Sequence, residues 1–392
     1  MDETKSKSLV DLNVKILRSL LKQIVASRGA DPSRISKKDD ALTKLEAEMF
    51  LRTSSMAEVA DVIPFTQAGN EEHVTKQAAK AITLNPTVDA QLQDLVNNVA
   101  AMYKGPNAFH NFEHAMHVTA STHKLLSRLE NAEEKDGCDS FGVATDPLVH
   151  FTLVFAALIH DVDHPGVPNT QLVKENTRHA QIYKESIAEQ HSLDTVWGLL
   201  MSREYDDLRA CIYSTEDELR RFRQVMVNAV LATDLMDSNI QSRRNERWEL
   251  AFSEDARGDD AVYKDDPTYQ QTIKNRKATM LVEILIQAAD IAHTMQQWQV
   301  YKQWNERLFC EQHEAHKAGR GDSDPSNKWY PNELSFFDGV VMPLAKKLRE
   351  CGSFGATGSE FLKYAEANRM EWVQNGPQVV QEYIKNSETA EF

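Results

Sequence analysis

Along most of this 392-residue chain the apolar residues recur at steps of three and four, and no five-residue strand pattern stands out. Glycine and proline are too sparse to punctuate the many short elements of a sheet protein. An all-α fold follows, with nearly continuous helix from Thr87 to about Asn375. Near the N-terminus, Val10, Val14, Leu17, Leu21 and Ile24 mark two heptads of an amphipathic helix. Such a stripe either packs on its own domain or ends a coiled-coil linker that forms a homodimer. Arg28 to Lys38 reads as a connector, Leu42 to Val59 as a second helical stretch, and Pro64 to Asn70 as a break. Ser253 to Pro267 reads as an acidic surface loop, and Gly319 to Pro331 as a mobile lid with Trp329 and Tyr330 as aromatic anchors. The expected division is an N-terminal helical segment (1–75), a unit that carries the chemistry (76–376) and a tail (377–392).

A formal charge of −15 disfavours nucleic-acid polymers and anionic membranes as partners. A small anionic substrate remains compatible, because bound cations reverse the field inside a cleft. The four cysteines are far apart in sequence and form no C-x-x-C pair, which argues against a thiolate zinc site or a disulfide scaffold. The longest apolar run, Leu148 to Ile159, contains His150 and is too short to span a bilayer. A cytoplasmic setting is the expectation, with the soluble part of a larger signalling protein equally compatible.

Histidine is the informative residue. His110, His114 and His117 fall in FHNFEHAMHV, and His160 and His164 in LIHDVDHPG. If the first segment is helical, His110 and His114 share one face. His160 and Asp161 end an apolar helix that Pro165 and Gly166 stop. Asp290 sits inside the apolar stretch LVEILIQAADIAHTM, where a lone carboxylate is costly unless paired or coordinating. Two imidazoles and two carboxylates suit a divalent transition metal with open water positions, and thus a catalytic rather than a closed structural site. His117, His123 and His150 read as structural; His179, His313 and His316 read as surface residues.

These residues carry a resemblance. The order H-N-x-x-H (His110 to His114), H-D-x-D-H-P-G (His160 to Gly166) and A-A-D-I (Ala288 to Ile291) resembles class I cyclic nucleotide phosphodiesterases. So do Ile187-Ala188-Glu189-Gln190-His191, Ala232-Thr233-Asp234, and the spacing of Trp298, Tyr301 and Trp304. The likeness spans roughly Gln91 to Asn375. FHNFEHAMHV and FFDGVVMPLAKKL look more like the domains of unicellular algae and protists, often fused to cyclases or receptors, than like the animal enzymes. The resemblance implies a compact multi-helix fold of the HD type with a two-metal site in a deep pocket. His114, His160, Asp161 and Asp290 would hold a first metal, expected to be zinc, and Asp161 would bridge to a second, expected to be magnesium or manganese. His164, Glu189 and Thr233 would hold the second metal's waters. His110 would be the general acid for the leaving 3′ oxygen, opposite a metal-bridging hydroxide.

The family's purine-binding glutamine falls at Glu333, with Phe336 stacking on the base, Leu308 closing its other side and His293 lining the pocket. A carboxylate only accepts hydrogen bonds, whereas glutamine also donates. Guanine, with donors at N1 and N2, is favoured slightly over adenine; a protonated Glu333 would instead mimic glutamine. Hydrolysis of 3′,5′-cyclic AMP or GMP is therefore the leading expectation. A phosphohydrolase for another phosphoester, or a non-catalytic cyclic-nucleotide sensor, are the rivals.

Overall fold

A computed structural model describes residues 3–29, 40–50, 55–65, 76–253, 266–321 and 323–389. Most of the Arg28–Lys38 connector, the Pro64–Asn70 break and the Ser253–Pro267 loop lie outside these residues. Most of the described residues are helical, with no strand among them. The first helices are α1 (Glu3–Ser27), α2 (Asp40–Phe50), α3 (Lys76–Ala81) and α4 (Pro86–Met102). They are followed by α5 (Phe112–Asp136), α6 (Pro147–Ile159), α7 (Asn169–Lys174), α8 (Arg178–Ile182), α9 (Ile187–Leu200) and α10 (Asp206–Ile212). Next come α11 (Glu216–Ala232), α12 (Ser238–Phe252), α13 (Pro267–Asp290) and α14 (Trp298–Lys317). The chain closes with α15 (Trp329–Phe336), α16 (Met342–Glu350) and α17 (Gly358–Thr389).

Helix α6 is the axis of the fold. Leu148 to Ile159 are all buried, so the helix has no solvent face and must be surrounded. Helices α5, α11 and α1 pack around it, and α13 packs on both α5 and α11. Asp146 caps α6, its side chain accepting from the N–H groups of Leu148 and Val149, and Pro147 fits the first turn, where its missing N–H costs nothing.

The N-terminal stripe packs on its own domain. Val10, Val14, Leu17, Leu21 and Ile24 are buried in the same core cluster as α6. Arg28 then pins the end of α1, donating to the carbonyls of Cys211 (2.8 Å) and Ile212 (2.7 Å) and pairing with Glu218 (3.0 Å). A homodimer through α1 would have to use its outward face. At the other end, α17 runs without a break through the expected 376/377 boundary. Tyr330 lies so close to Gly376 that a Cβ there would stand 2.3 Å from its ring, so only glycine lets α15 seat against α17. The expected lid carries a 3₁₀ turn, Pro325–Asn327, and its Trp329 is buried. His313, expected at the surface, is also buried, one turn from Phe309 on the same face of α14. No helix among the described residues is long and apolar enough to cross a membrane.

Candidate active site

Three helix ends converge on one spot. His114 lies in the first turn of α5, His160 caps the C-terminus of α6, and Asp290 is the last residue of α13. Asn111 starts α5, accepting from the N–H groups of Glu113 and His114. His110 therefore lies just outside the helix, not on its face as its spacing suggested, yet its ring centroid is 6.2 Å from that of His114. Asn107 staples the two histidine loops, donating to the carbonyls of His110 (3.0 Å) and His164 (2.9 Å). Gly166 makes room for it: φ is +70° there, and a Cβ would stand 2.9 Å from Asn107 Oδ1.

Ligating atoms of His114, His160 and Asp290 lie within 4.8 Å of one another. His114 Nε2 is 3.1 Å and His160 Nε2 3.4 Å from Asp290 Oδ1. Asp161 Oδ2 joins them, 3.1 Å from His160 Nε2 and 3.7 Å from His114 Nε2. His160 Nδ1 donates to the Ala157 carbonyl at 2.9 Å, which leaves Nε2 with its lone pair turned into the cluster. That buried Nε2 makes no hydrogen bond of good geometry. An N/O donor set with an unsatisfied, correctly tautomerised imidazole fits a divalent cation. Burial alone would raise Asp290, but the His114 and His160 imidazoles hold its carboxyl well below the usual range.

A second group stands beside the first: His110, His164 and Glu311. Glu311 was not singled out from the sequence. Its carboxylate accepts from the backbone N–H of Phe109 (2.7 Å) and His110 (2.9 Å) and from His110 Nδ1. Burial opposes charge on His110, yet the Glu311 and Asp161 carboxylates outweigh it and raise the imidazole to about 9. His164 lies against that ring, centroids 3.8 Å apart. Burial, and then the His110 charge, push His164 down to about 3, so one of the two imidazoles carries the proton.

Of the residues expected to hold water, His164 belongs to that second group, while Glu189 and Thr233 lie outside it. Asn169 Nδ2 donates to Glu189 at 2.9 Å and approaches Asp234 at 3.5 Å. Burial, then the Asp234 charge, raise Glu189 to about 8. Thr233 caps α11, and its hydroxyl donates to the Val230 carbonyl at 2.7 Å.

Glu333 is buried on α15, where burial raises its carboxyl to about 7 against the hydrogen bonds from Tyr301 and Asn305. Two indoles set the direction of both bonds. Trp372 Nε1 donates to Tyr301 Oη (2.7 Å), so the tyrosine proton goes to Glu333. Trp329 Nε1 donates to Asn305 Oδ1 (2.9 Å), so Asn305 offers its NH₂. Glu333 is thus an acceptor toward both neighbours. His293 is parallel to Tyr301, centroids 6.1 Å apart, and contacts Phe109, which contacts His114. Aromatic rings therefore connect the Glu333 recess to the donor cluster. Leu308 and Phe336 are half-buried on α14 and α15, and a π-helical turn, Phe337–Val341, follows Phe336.

Residues 109–353, spanning the donor cluster, His110 with Glu311, and Glu333, match the family described as 3′5′-cyclic nucleotide phosphodiesterase. The chain belongs to this family. Among curated members of the phosphodiesterase family, the probable 3′,5′-cyclic-AMP phosphodiesterase pde-4 of Caenorhabditis elegans is 30% identical over 52% of this chain and 27% of its own length. The bovine dual specificity calcium/calmodulin-dependent 3′,5′-cyclic nucleotide phosphodiesterase 1B is 23% identical over 69% of this chain and 46% of its own. The chain thus spans less than half of either relative, and the two names differ on the nucleotide. The phosphodiesterase domain of a fusion protein from the choanoflagellate Salpingoeca rosetta shares the fold, with TM-score 0.56, 19% identity, and coverage of 89% of this chain and 94% of that one.

Proposed function

We propose that this chain hydrolyses 3′,5′-cyclic nucleotides to 5′-nucleoside monophosphates and uses two divalent cations, zinc at the tight site and magnesium or manganese beside it. The observation that carries the reading is the convergence of His114, His160, Asp161 and Asp290 next to a histidine whose proton is held by Glu311. Bound cations would neutralise the phosphodiester anion and lower the pKa of coordinated water. His114, His160, Asp161 and Asp290 are the proposed ligands; His164, Glu189 and Thr233 would orient water near Asp161. With Nδ1 committed to Glu311, His110 presents Nε2 as the atom that donates a proton to the departing 3′ oxygen. Residues 76–376 are proposed to hold this chemistry, with α1 as a packing partner.

At the base, ionised Glu333 accepts only, which favours the N1 and N2 donors of guanine. Protonated, it also donates and so accommodates adenine. The proposed preference for cyclic GMP therefore strengthens as pH rises through about 7. The test is a substrate panel of cyclic AMP, cyclic GMP and the linear diester bis(4-nitrophenyl) phosphate, with products identified by chromatography. Conversion of a cyclic substrate to its 5′-monophosphate is expected. Hydrolysis of the linear ester alone would replace this reading with a general phosphohydrolase.

A further inference from the structure

The stripe of α5 that begins with His114 and His117 continues through Ser121 and Lys124 to Arg128, and those last three line a cleft of about 290 Å³ on the domain surface. We propose that this cleft binds a small aromatic anion. Its floor is apolar: Leu125 from α5, Ala288 from α13, and Ala292 and Met295 from the turn that follows it. Phe361 and Tyr364 of α17 form the opposite wall. Charge defines the ligand: the lining carries two cations, Lys124 and Arg128, and one carboxylate, Glu360, which leaves one positive charge in excess. Lys124 and Arg128, one helical turn apart, stand out on a chain of formal charge −15. Arg128 is already paired with Glu360 (3.2 Å) and lies over the Phe361 ring (5.3 Å), so its charge is largely satisfied and its guanidinium stiffens that wall. Lys124 is exposed and is the cation left to meet an anion. Gln296 and Gln297 add amide donors at the rim. The volume sits at the small end of ligand pockets, which fits one or two fused rings bearing a single acid group.

The location gives binding a consequence. Ala288 and Ala292 flank Asp290, and Gln296 and Gln297 lead into α14, which carries Val300, Tyr301 and Glu311. A ligand here braces the segment between the donor cluster and the Glu333 recess.

The readout is binding itself, so the site stands or falls independently of the catalytic reading. The full chain is titrated with 1-naphthalenesulfonate by calorimetry, with neutral 1-naphthalenemethanol as the control. One saturable site is expected, weakened about tenfold or more in Lys124→Glu, retained in Lys124→Arg and weakened several-fold in Tyr364→Ala. Both side chains are exposed, so the variants should fold, and circular dichroism checks that they do. Equal affinity for the neutral control, or undiminished binding in folded Lys124→Glu, would overturn the proposal.

Discussion

The donor cluster and the Glu333 recess solve the problem of a buried polar group in opposite ways. At the cluster, carboxylates and imidazoles sit at helix ends, where backbone fixes them: the Ala157 carbonyl sets the tautomer of His160, and the N–H groups of Phe109 and His110 hold Glu311. With the His160 Nε2 lone pair turned inward beside two carboxylates, the set fits a cation. In the recess a single carboxyl has no cationic partner among its hydrogen bonds, which come from Tyr301 and Asn305. Burial pushes its ionisation into the neutral pH range, while two indoles fix which way its neighbours donate. The difference teaches that one region concentrates charged groups and the other isolates a single titratable one; under the proposed function, changes in the first should abolish turnover and changes in the second should redirect it.

The sharpest way to break this contrast is at Asp290. Asp290→Ala should lose bound metal and bring turnover to background for every cyclic nucleotide, read by metal analysis alongside activity. His110→Ala should keep the metal and lose about 10²–10⁴ in kcat, since a positioned proton donor contributes about that much. Glu311→Gln is subtler. Activity that needs protonated His110 should fall as pH rises through about 9; without the Glu311 charge the limb should move toward the ordinary histidine value of about 6.5. A pH–rate profile reads the shift.

In the recess, Glu333→Gln should leave metal content intact and flatten the pH dependence of the cyclic GMP to cyclic AMP ratio between about pH 6 and 8. A changed ratio with the same pH dependence would contradict the proposed role of its ionisation. The smallest effect belongs to Trp329→Phe, which frees Asn305 to turn its amide. A hydrogen bond contributes about 0.5–1.5 kcal/mol, so the ratio should move only a few-fold, with kcat for the better substrate nearly unchanged.

The donor cluster was legible because its residues announce themselves locally. His160 ends one apolar run and Asp290 interrupts another, and His110 and His114 are four residues apart. The all-α class was legible from helical spacing, while the HD-type fold came from the family resemblance. Glu311 was not, because it lies 201 positions from His110 in EQHEAHK, a string that reads as a solvated face. The same string concealed the burial of His313. Trp329 and Tyr330 were legible as anchors, but what they anchor depends on Asn305 and Gly376, which only the packed helices bring near. The helical reading of His110 failed because Asn111 caps the helix one residue later.

The most direct test is parallel turnover of cyclic AMP and cyclic GMP by the metal-replete chain and by folded Asp290→Ala. The predicted result is two bound divalent ions and hydrolysis of at least one nucleotide by the parent chain, with both properties lost in the variant. Turnover undiminished in Asp290→Ala, or none of either nucleotide by the folded, metal-replete parent, would contradict the account.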